Sequence, residues 1–370
     1  MKKKFCFLLL NFLYIIFISC NKQNSQNNSQ FTASSIVRNI NNIEIIVDPN
    51  VEMMMILGRL AGASSLEANP ISFSYMNELD EYFKAYKYET AVNMIQKNNL
   101  SFDRVPEFGM YLNEDDSGFI LDIKDKKFIV HDPFLSHVPA KKVPYYALNN
   151  FREAVREFRK NSNFDLFFHN NYECYESMIN RNINLLKDAK IDEWLKSFYG
   201  LSTKEKFFLH LTYIDGNYGI DLTNSRGKKE THAVVLGSCN RETFLFLCAH
   251  EFSHPHTAEI VEQLYSNLKI KNKYDNYYLK DALFYNTSGY GSGFSILNEI
   301  INQACANKYL QKEFPDDVMN RYMDELQNKS RYLNIKLITN FLDNYENNRK
   351  KYKTMKDFLP ELEKFIEGLE

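Results

Sequence analysis

The stretch LFLCAHEFSHPHTAEI, residues 245–260, carries two histidines four apart with an acid directly after the first. On an α-helix, positions i and i+4 lie one turn apart on the same face. His250 and His254 can therefore present two imidazoles to one tetrahedral Zn²⁺, while Glu251 can reach a metal-bound water. A solvated or core-lining histidine pair on a helix would look the same locally. The flanks decide between them. RETFLFLCAHEFSH (241–254) spaces Phe244, Leu245, Leu247 and Cys248 as a helix does. Pro255 disfavours helical backbone at His254 and cannot donate to the carbonyl of Glu251, so the helix is expected to end or kink there.

A catalytic zinc needs a third protein ligand and an open position for water. His256, beyond the proline and two residues past His254, does not share the face. The longer spacing HExxHxxGxxH fails, because residues 257 and 260 are Thr and Ile. Glu259 and Glu262 read as surface charges. Glu299, in GFSILNEIINQACANKYL (293–310), is the stronger candidate: Ile296, Leu297, Ile300 and Ile301 make that helix apolar, and an acid buried in it needs a partner. The alternative is an acid on an exposed stripe. The 45 residues from His254 to Glu299 suit a second helix packed on the first.

HEFSH (250–254) followed by Asn298-Glu299 and Ala304 resembles the gluzincin clan of zinc metallopeptidases. More narrowly, the chain is similar to an uncharacterised bacterial family of metallopeptidase-like lipoproteins, a domain of unknown function. That likeness runs through VDPNVEMMMILGRLAG (47–62), YFKAY (82–86), NYG (217–219), HEFSHP (250–255) and YGSGFSILNEIINQA (290–304), scattered over most of residues 45–310. It implies that His250, His254 and Glu299 bind zinc. Members of the family often carry Arg four residues after the third ligand; here that position is Gln303.

The organisation upstream agrees with that order. KEKFFLHLTYI (204–214) and THAVVLGSC (231–239) read as strands, and Gly216 and Gly219 sit at turn positions in IDGNYGIDLT. NIEIIVDP (42–49) alternates like a short strand, and VEMMMILGRLAG (51–62) follows as a helix stopped by Gly62. Residues 75 to 160 are mostly helical, interrupted by DSGFILDIKDKKFIVHDP, which reads as two strands around a polar turn at 124–127. The expected fold class is α+β: a zincin-like unit with a small mixed sheet and an active-site helix, a largely helical N-terminal region and a helical C-terminal part. The expected division is 1–19 signal peptide, 20–40 flexible tether, 41–200 mainly helical region and 201–370 catalytic region.

MKKK followed by the apolar run Phe5–Ile18 has the pattern of an export signal, too short to span a bilayer. It ends in Ser19-Cys20, similar to a bacterial lipobox with Phe17 where Leu is usual, so Cys20 is the expected lipidation site; an ordinary secretory signal is the alternative. NKQNSQNNSQ (21–30) suits a spacer. The formal net charge is −2, and removing residues 1–19 leaves 42 basic against 47 acidic residues with no basic block. That argues against nucleic acid as a partner. The cysteines form no disulfide framework and no CxxC pair, and Cys248 and Cys305 read as buried small hydrophobes.

The expected function is zinc-dependent peptide-bond hydrolysis by an exported, lipid-anchored enzyme of the cell envelope, periplasmic or at the cell surface. Glu251 serves as general base on zinc-bound water, and its partners are a peptide or protein substrate and the membrane. Tyr290, in the glycine-flanked loop SGYGSG (288–293), is a candidate donor to the oxyanion. THAVVLG (231–237) is a candidate edge strand for an extended peptide. The competing reading is a non-catalytic metal-containing binding lipoprotein, in which Glu251 has no task.

Overall fold

The computed structural model describes residues 32–62, 74–98, 104–111, 128–130, 141–143, 145–223, 229–288 and 290–369. The export signal and Cys20 lie outside them, as does the first of the two strands expected around 124–127. Strand β1 (Ile36–Ile40) turns at Asn41, whose positive φ of 53° an asparagine tolerates, into β2 (Ile43–Val47). The expected tether thus gives way to structure by Ile36, which is buried. A short antiparallel pair, β3 (Phe128–Val130) with β4 (Lys141–Val143), stands apart, so the partner of FIV is a later segment rather than the residues before 124.

The main sheet has five strands, ordered β1-β2-β5-β7-β6, with β5 (Phe207–Thr212), β6 (Tyr218–Thr223) and β7 (Lys229–Leu236). β2, β5 and β7 run parallel, and β1 and β6 flank them antiparallel. The sheet draws strands from both sides of residue 200. Two corrections follow. Gly219 is inside β6, not in a turn. And β7, which carries THAVVLG, is paired on both sides, so it cannot accept a further strand; among the described residues β1 and β6 are the edges. The run Ala233-Val234-Val235, fully buried, is what a strand covered on both faces requires.

Helices surround this sheet: α1 (Pro49–Leu60), α2 (Ser74–Phe83), α3 (Thr90–Asn98), α4 (Arg104–Tyr111), α5 (Tyr145–Asn161), α6 (Phe164–Asn170), α7 (Tyr172–Leu186) and α8 (Ile191–Tyr199) before β5. After β7 come α9 (Arg241–Ser266), α10 (Leu268–Lys280), α11 (Ala282–Thr287), α12 (Gly293–Glu313), α13 (Asp316–Asn328), α14 (Ile335–Phe341), α15 (Asp343–Glu346) and α16 (Met355–Gly368). The fold is α+β and mostly helical, with a small mixed sheet. Asp48 caps α1, accepting from the amides of Asn50 and Val51, with Pro49 in the first turn where its missing N–H costs nothing. Among the described residues no helix is long and apolar enough to cross a membrane.

α9 packs on β6 and β7 on one side and on α12 on the other. That explains why it is apolar nearly all round, with Phe244, Leu245, Cys248, Phe252, Ile260 and Val261 buried. Phe252 meets Phe207 of β5 edge to face, ring centroids 5.4 Å apart. Of the two outcomes expected at Pro255, an end is ruled out: α9 runs through it to Ser266. The proline removes one hydrogen bond, and neighbouring hydroxyls bond back to carbonyls of the same turns. Ser253 Oγ donates to Ala249 O at 2.6 Å, and Thr257 Oγ1 lies 3.2 and 3.3 Å from the carbonyls of Ser253 and His254. Tertiary packing on both sides does the rest.

Candidate metal centre

α9 and α12 build one cluster. Asn240 caps α9 by accepting from Thr243 N, and Ser292 and Ser295 form a reciprocal capping box that starts α12. Gly293 permits that start: a Cβ there would stand 2.5 Å from the backbone of Tyr274 and Asp275. Along α9, His250 and His254 fall on one face, with Nε2 atoms 3.1 Å apart. Glu299 of α12 points between them, Oε2 at 3.3 Å from His250 Nε2 and Oε1 at 3.6 Å from His254 Nε2. Around a tetrahedral ion with bonds of about 2.0–2.1 Å, neighbouring ligand atoms sit roughly 3.3 Å apart. The three side chains therefore present a donor set, two imidazoles and a carboxylate, whose spacing could hold such an ion. Glu251 is buried, with Oε2 4.0 Å from His254 Nε2, beside the cluster rather than within it.

Burial works to lower the His250 pKa, but the hydrogen bond to Glu299 and the nearby charges of Glu251 and Glu299 outweigh it and raise the net value. Burial, joined by repulsion from His250, holds His254 down at about 4 against the pull of Glu299. Burial alone would raise Glu299, yet the His250 hydrogen bond and both imidazoles bring it below its ordinary value.

Polar side chains of α12 surround the histidines. Asn302 Nδ2 donates to His250 O at 2.9 Å, and Thr257 Oγ1 donates to Asn302 Oδ1 at 3.1 Å. The Asn298 amide stands 3.5 Å from His254 Nδ1. Gln303, buried, donates to Asn307 Oδ1 at 2.9 Å; Asn307 Nδ2 in turn donates to Thr339 Oγ1 at 3.1 Å.

The other candidates separate cleanly. His256 stacks near Tyr199 of α8, ring centroids 4.9 Å apart, and is no part of the cluster. Glu259 is an exposed partner of Lys356, and Glu262 is exposed. His210 and His232 pair with each other, His210 Nε2 3.0 Å from His232 Nδ1. Strand alternation turns His210 away from α9, since Phe207 faces it. His131 and His137 lie outside the described residues.

Tyr290 does not stand alone. Its hydroxyl meets that of Tyr332 at 2.8 Å. Tyr332 is buried, and burial first, then Tyr290 and the charges of Glu299 and Glu251, raise its pKa. Sequence reading missed it. The loop that carries it is fixed by contacts distant in sequence: Tyr277 and Tyr285 hydroxyls donate to Arg331 O at 2.7 and 3.0 Å, and Arg331 pairs with Asp281. Arg331 and Asn334 both take positive φ, 57° and 59°, without a glycine to announce it.

β6 passes directly over the acid of the motif. A Cβ on Gly219 would lie 1.7 Å from the carbonyl oxygen of Glu251. That carbonyl is the one Pro255 cannot reach as a donor. Only a glycine lets the edge strand come this close.

A family model described as a domain of unknown function (DUF4932) matches residues 43–365. No curated protein and no solved structure matches the chain.

Proposed function

For this chain, which belongs to that DUF4932 family, we propose the function of a gluzincin-like zinc metallopeptidase that hydrolyses peptide bonds. The observation that carries the reading is the meeting of His250, His254 and Glu299, 45 residues apart in sequence, at mutual spacings suited to a tetrahedral ion. The donor types support Zn²⁺ over Ca²⁺ or Mg²⁺, which prefer all-oxygen shells.

When bound, zinc supplies Lewis-acid charge that makes water acidic near neutral pH. Glu251, beside the cluster with its carboxylate buried, takes the proton of the attacking water and passes it to the leaving amine. The Tyr332 hydroxyl, supported by Tyr290, donates to the developing oxyanion. Among the described residues β6 ends the sheet, and its outer side is offered to an extended peptide next to Glu251, in the role first expected of residues 231–237. Export and a lipid anchor at Cys20 belong to the same proposal, supported by the signal-like residues 1–20.

Metal content of the purified chain tests it. About one tightly held zinc per chain, lost in both His250→Ala and Glu299→Ala, is expected. A peptide-library screen should then yield cleavage that Glu251→Gln abolishes while zinc is retained. Absence of stoichiometric zinc refutes the reading. Zinc without any Glu251-dependent cleavage leaves a binding lipoprotein instead.

A further inference from the structure

We infer that one end of the fold, where Lys204 and Lys206 come beside Lys350 and Lys353, is a docking surface for an anionic lipid bilayer. The inference rests on the exported, lipid-anchored reading above and not on the zinc. Residues 349–356, RKKYKTMK, hold five cations and no acid in a chain whose formal net charge is −2. In sequence this run is short; the fold lengthens it. Gly200 ends α8 with a φ of 70°, and a Cβ there would stand 2.5 Å from Lys353 O. The Arg349 guanidinium stacks on Tyr345, 4.3 Å from the ring centroid, and donates to Ser197 O at 2.8 Å and Lys353 O at 2.5 Å. These contacts press the 349–353 turn onto the end of α8, and the turn that follows Gly200 carries Lys204 and Lys206.

Cations already paired add little to such a surface. Lys351 is shared with Glu361 at 3.4 Å, and Lys356 pairs with Glu259. Asp357 is turned to its helix cap, accepting from Thr354 N at 2.8 Å. Lys204, Lys206, Lys350 and Lys353 are exposed and have no ion pair among the described residues, with Glu205 the acid between the first two. The field at this end is therefore opposite in sign to the net charge of the chain, so an anionic plane attracts this end in preference to the rest. The length of chain outside the described residues favours a lipid surface over a soluble polyanion. The Ala33 amide is fixed by donating to Asp165 Oδ1 at 2.9 Å. The thirteen residues from Cys20 to Ala33 reach at most ~45 Å. The patch lies past the far end of β1, where Asn42 O accepts from Phe207 N at 3.0 Å beside Lys206, about 17 Å along the strand from Ile36. A chain anchored at Cys20 can thus lay this end on the bilayer that holds it, where each free lysine strengthens adsorption roughly fivefold.

Flotation of the full chain with phosphatidylcholine vesicles, with and without about one-third phosphatidylglycerol, tests this. Residues 1–20 are common to every variant, so whatever they contribute cancels. The triple variant Lys204→Gln, Lys350→Gln, Lys353→Gln should lower the partition coefficient on anionic vesicles about 100-fold at low salt and leave binding to phosphatidylcholine unchanged. A control, Lys87→Gln, Lys97→Gln, Lys160→Gln, removes the same charge from exposed positions elsewhere and should stay within about threefold of the parent. Added salt should erase the difference between the parent and the first variant. Equal losses in the two triple variants, or a parent that does not distinguish the vesicles, overturns the proposal. Retention on poly-glutamate that depends on the three lysines, without discrimination between vesicles, would make the patch a site for acidic protein and overturn it too. Failure of the anchored reading is seen separately, as absence of lipid on Cys20 in metabolically labelled cells.

Discussion

Glu52 offers the sharpest test of how the interior is wired. It sits in α1, fully buried, with its carboxyl hydrogen-bonded by Tyr75 and, at 3.0 Å, by Thr212 Oγ1. Tyr75 continues to the Tyr175 hydroxyl at 2.8 Å, while Thr212 also accepts from Ile214 N. Burial raises the Glu52 pKa from 4.5 to about 7, in spite of the two hydroxyl donors that favour the anion. The sign follows from proton uptake. Between those two values the folded chain holds a proton that the unfolded chain has released, so this group's stabilisation is complete below pH 4.5 and is lost as pH rises toward 7. At ~1.4 kcal/mol per pH unit, the loss is about 3 kcal/mol across the window. Glu52→Gln keeps the shape, an acceptor for Thr212 and a donor for Tyr75, and removes the titration. Urea unfolding from pH 4.5 to 8 should show the variant gaining about 3 kcal/mol relative to the parent as pH rises. Using the difference cancels every other group that titrates in the range. Parallel curves for the two proteins would mean that burial does not raise the Glu52 pKa in the fold, and the reasoning would be refuted.

Three further outcomes are expected. Gly219→Ala forces a methyl into the Glu251 carbonyl and should cost roughly 1–3 kcal/mol or more in denaturant unfolding, with loss of hydrolysis; parent-like stability would show that β6 does not pass there. Tyr332→Phe should lower kcat about 100-fold with zinc content unchanged, and Tyr290→Phe less; equal kcat in Tyr332→Phe would remove the hydroxyl from the chemistry. Cys248 and Cys305, buried free thiols whose pKa values burial raises, should resist alkylation in the folded chain and react after denaturation; rapid labelling of either without unfolding would place it at the surface.

The parts of this molecule that were legible in sequence are those encoded locally. The spacing of His250 and His254 shows in any helix, and an acid inside the apolar run around Glu299 signals a buried partner. Asp48-Pro49 announces a capped helix. The missed features depend on contacts between distant segments. Pro255 read locally as an end or a kink, yet α9 continues past it, packed on β6, β7 and α12. Gly219 read as a turn because glycine usually marks one; its reason is an approach to Glu251 that only the assembled sheet creates. THAVVLG looked like an edge because one strand alone cannot say whether it is paired on one side or two. Tyr332 carries no local mark at all, since Arg331 and Asn334 take left-handed backbone under constraint from Tyr277, Tyr285 and Asp281.

The amides along α12 have a consequence for how two helices find their relative position. Asn298, Asn302, Gln303 and Asn307 form a graduated series: Asn298 and Asn302 meet groups of α9, Gln303 meets Asn307, and Asn307 meets α14. Apolar surfaces slide over one another at little cost, and Ile296, Ile300 and Ala304 would accept several alignments. The amides would not. Shifting α12 by one turn, about 5.4 Å, would leave several buried polar groups without partners, each costing about 1–3 kcal/mol. The series acts as a ruler: it fixes the alignment of the two helices to within a residue, which is the accuracy that bringing Glu299 between His250 and His254 demands.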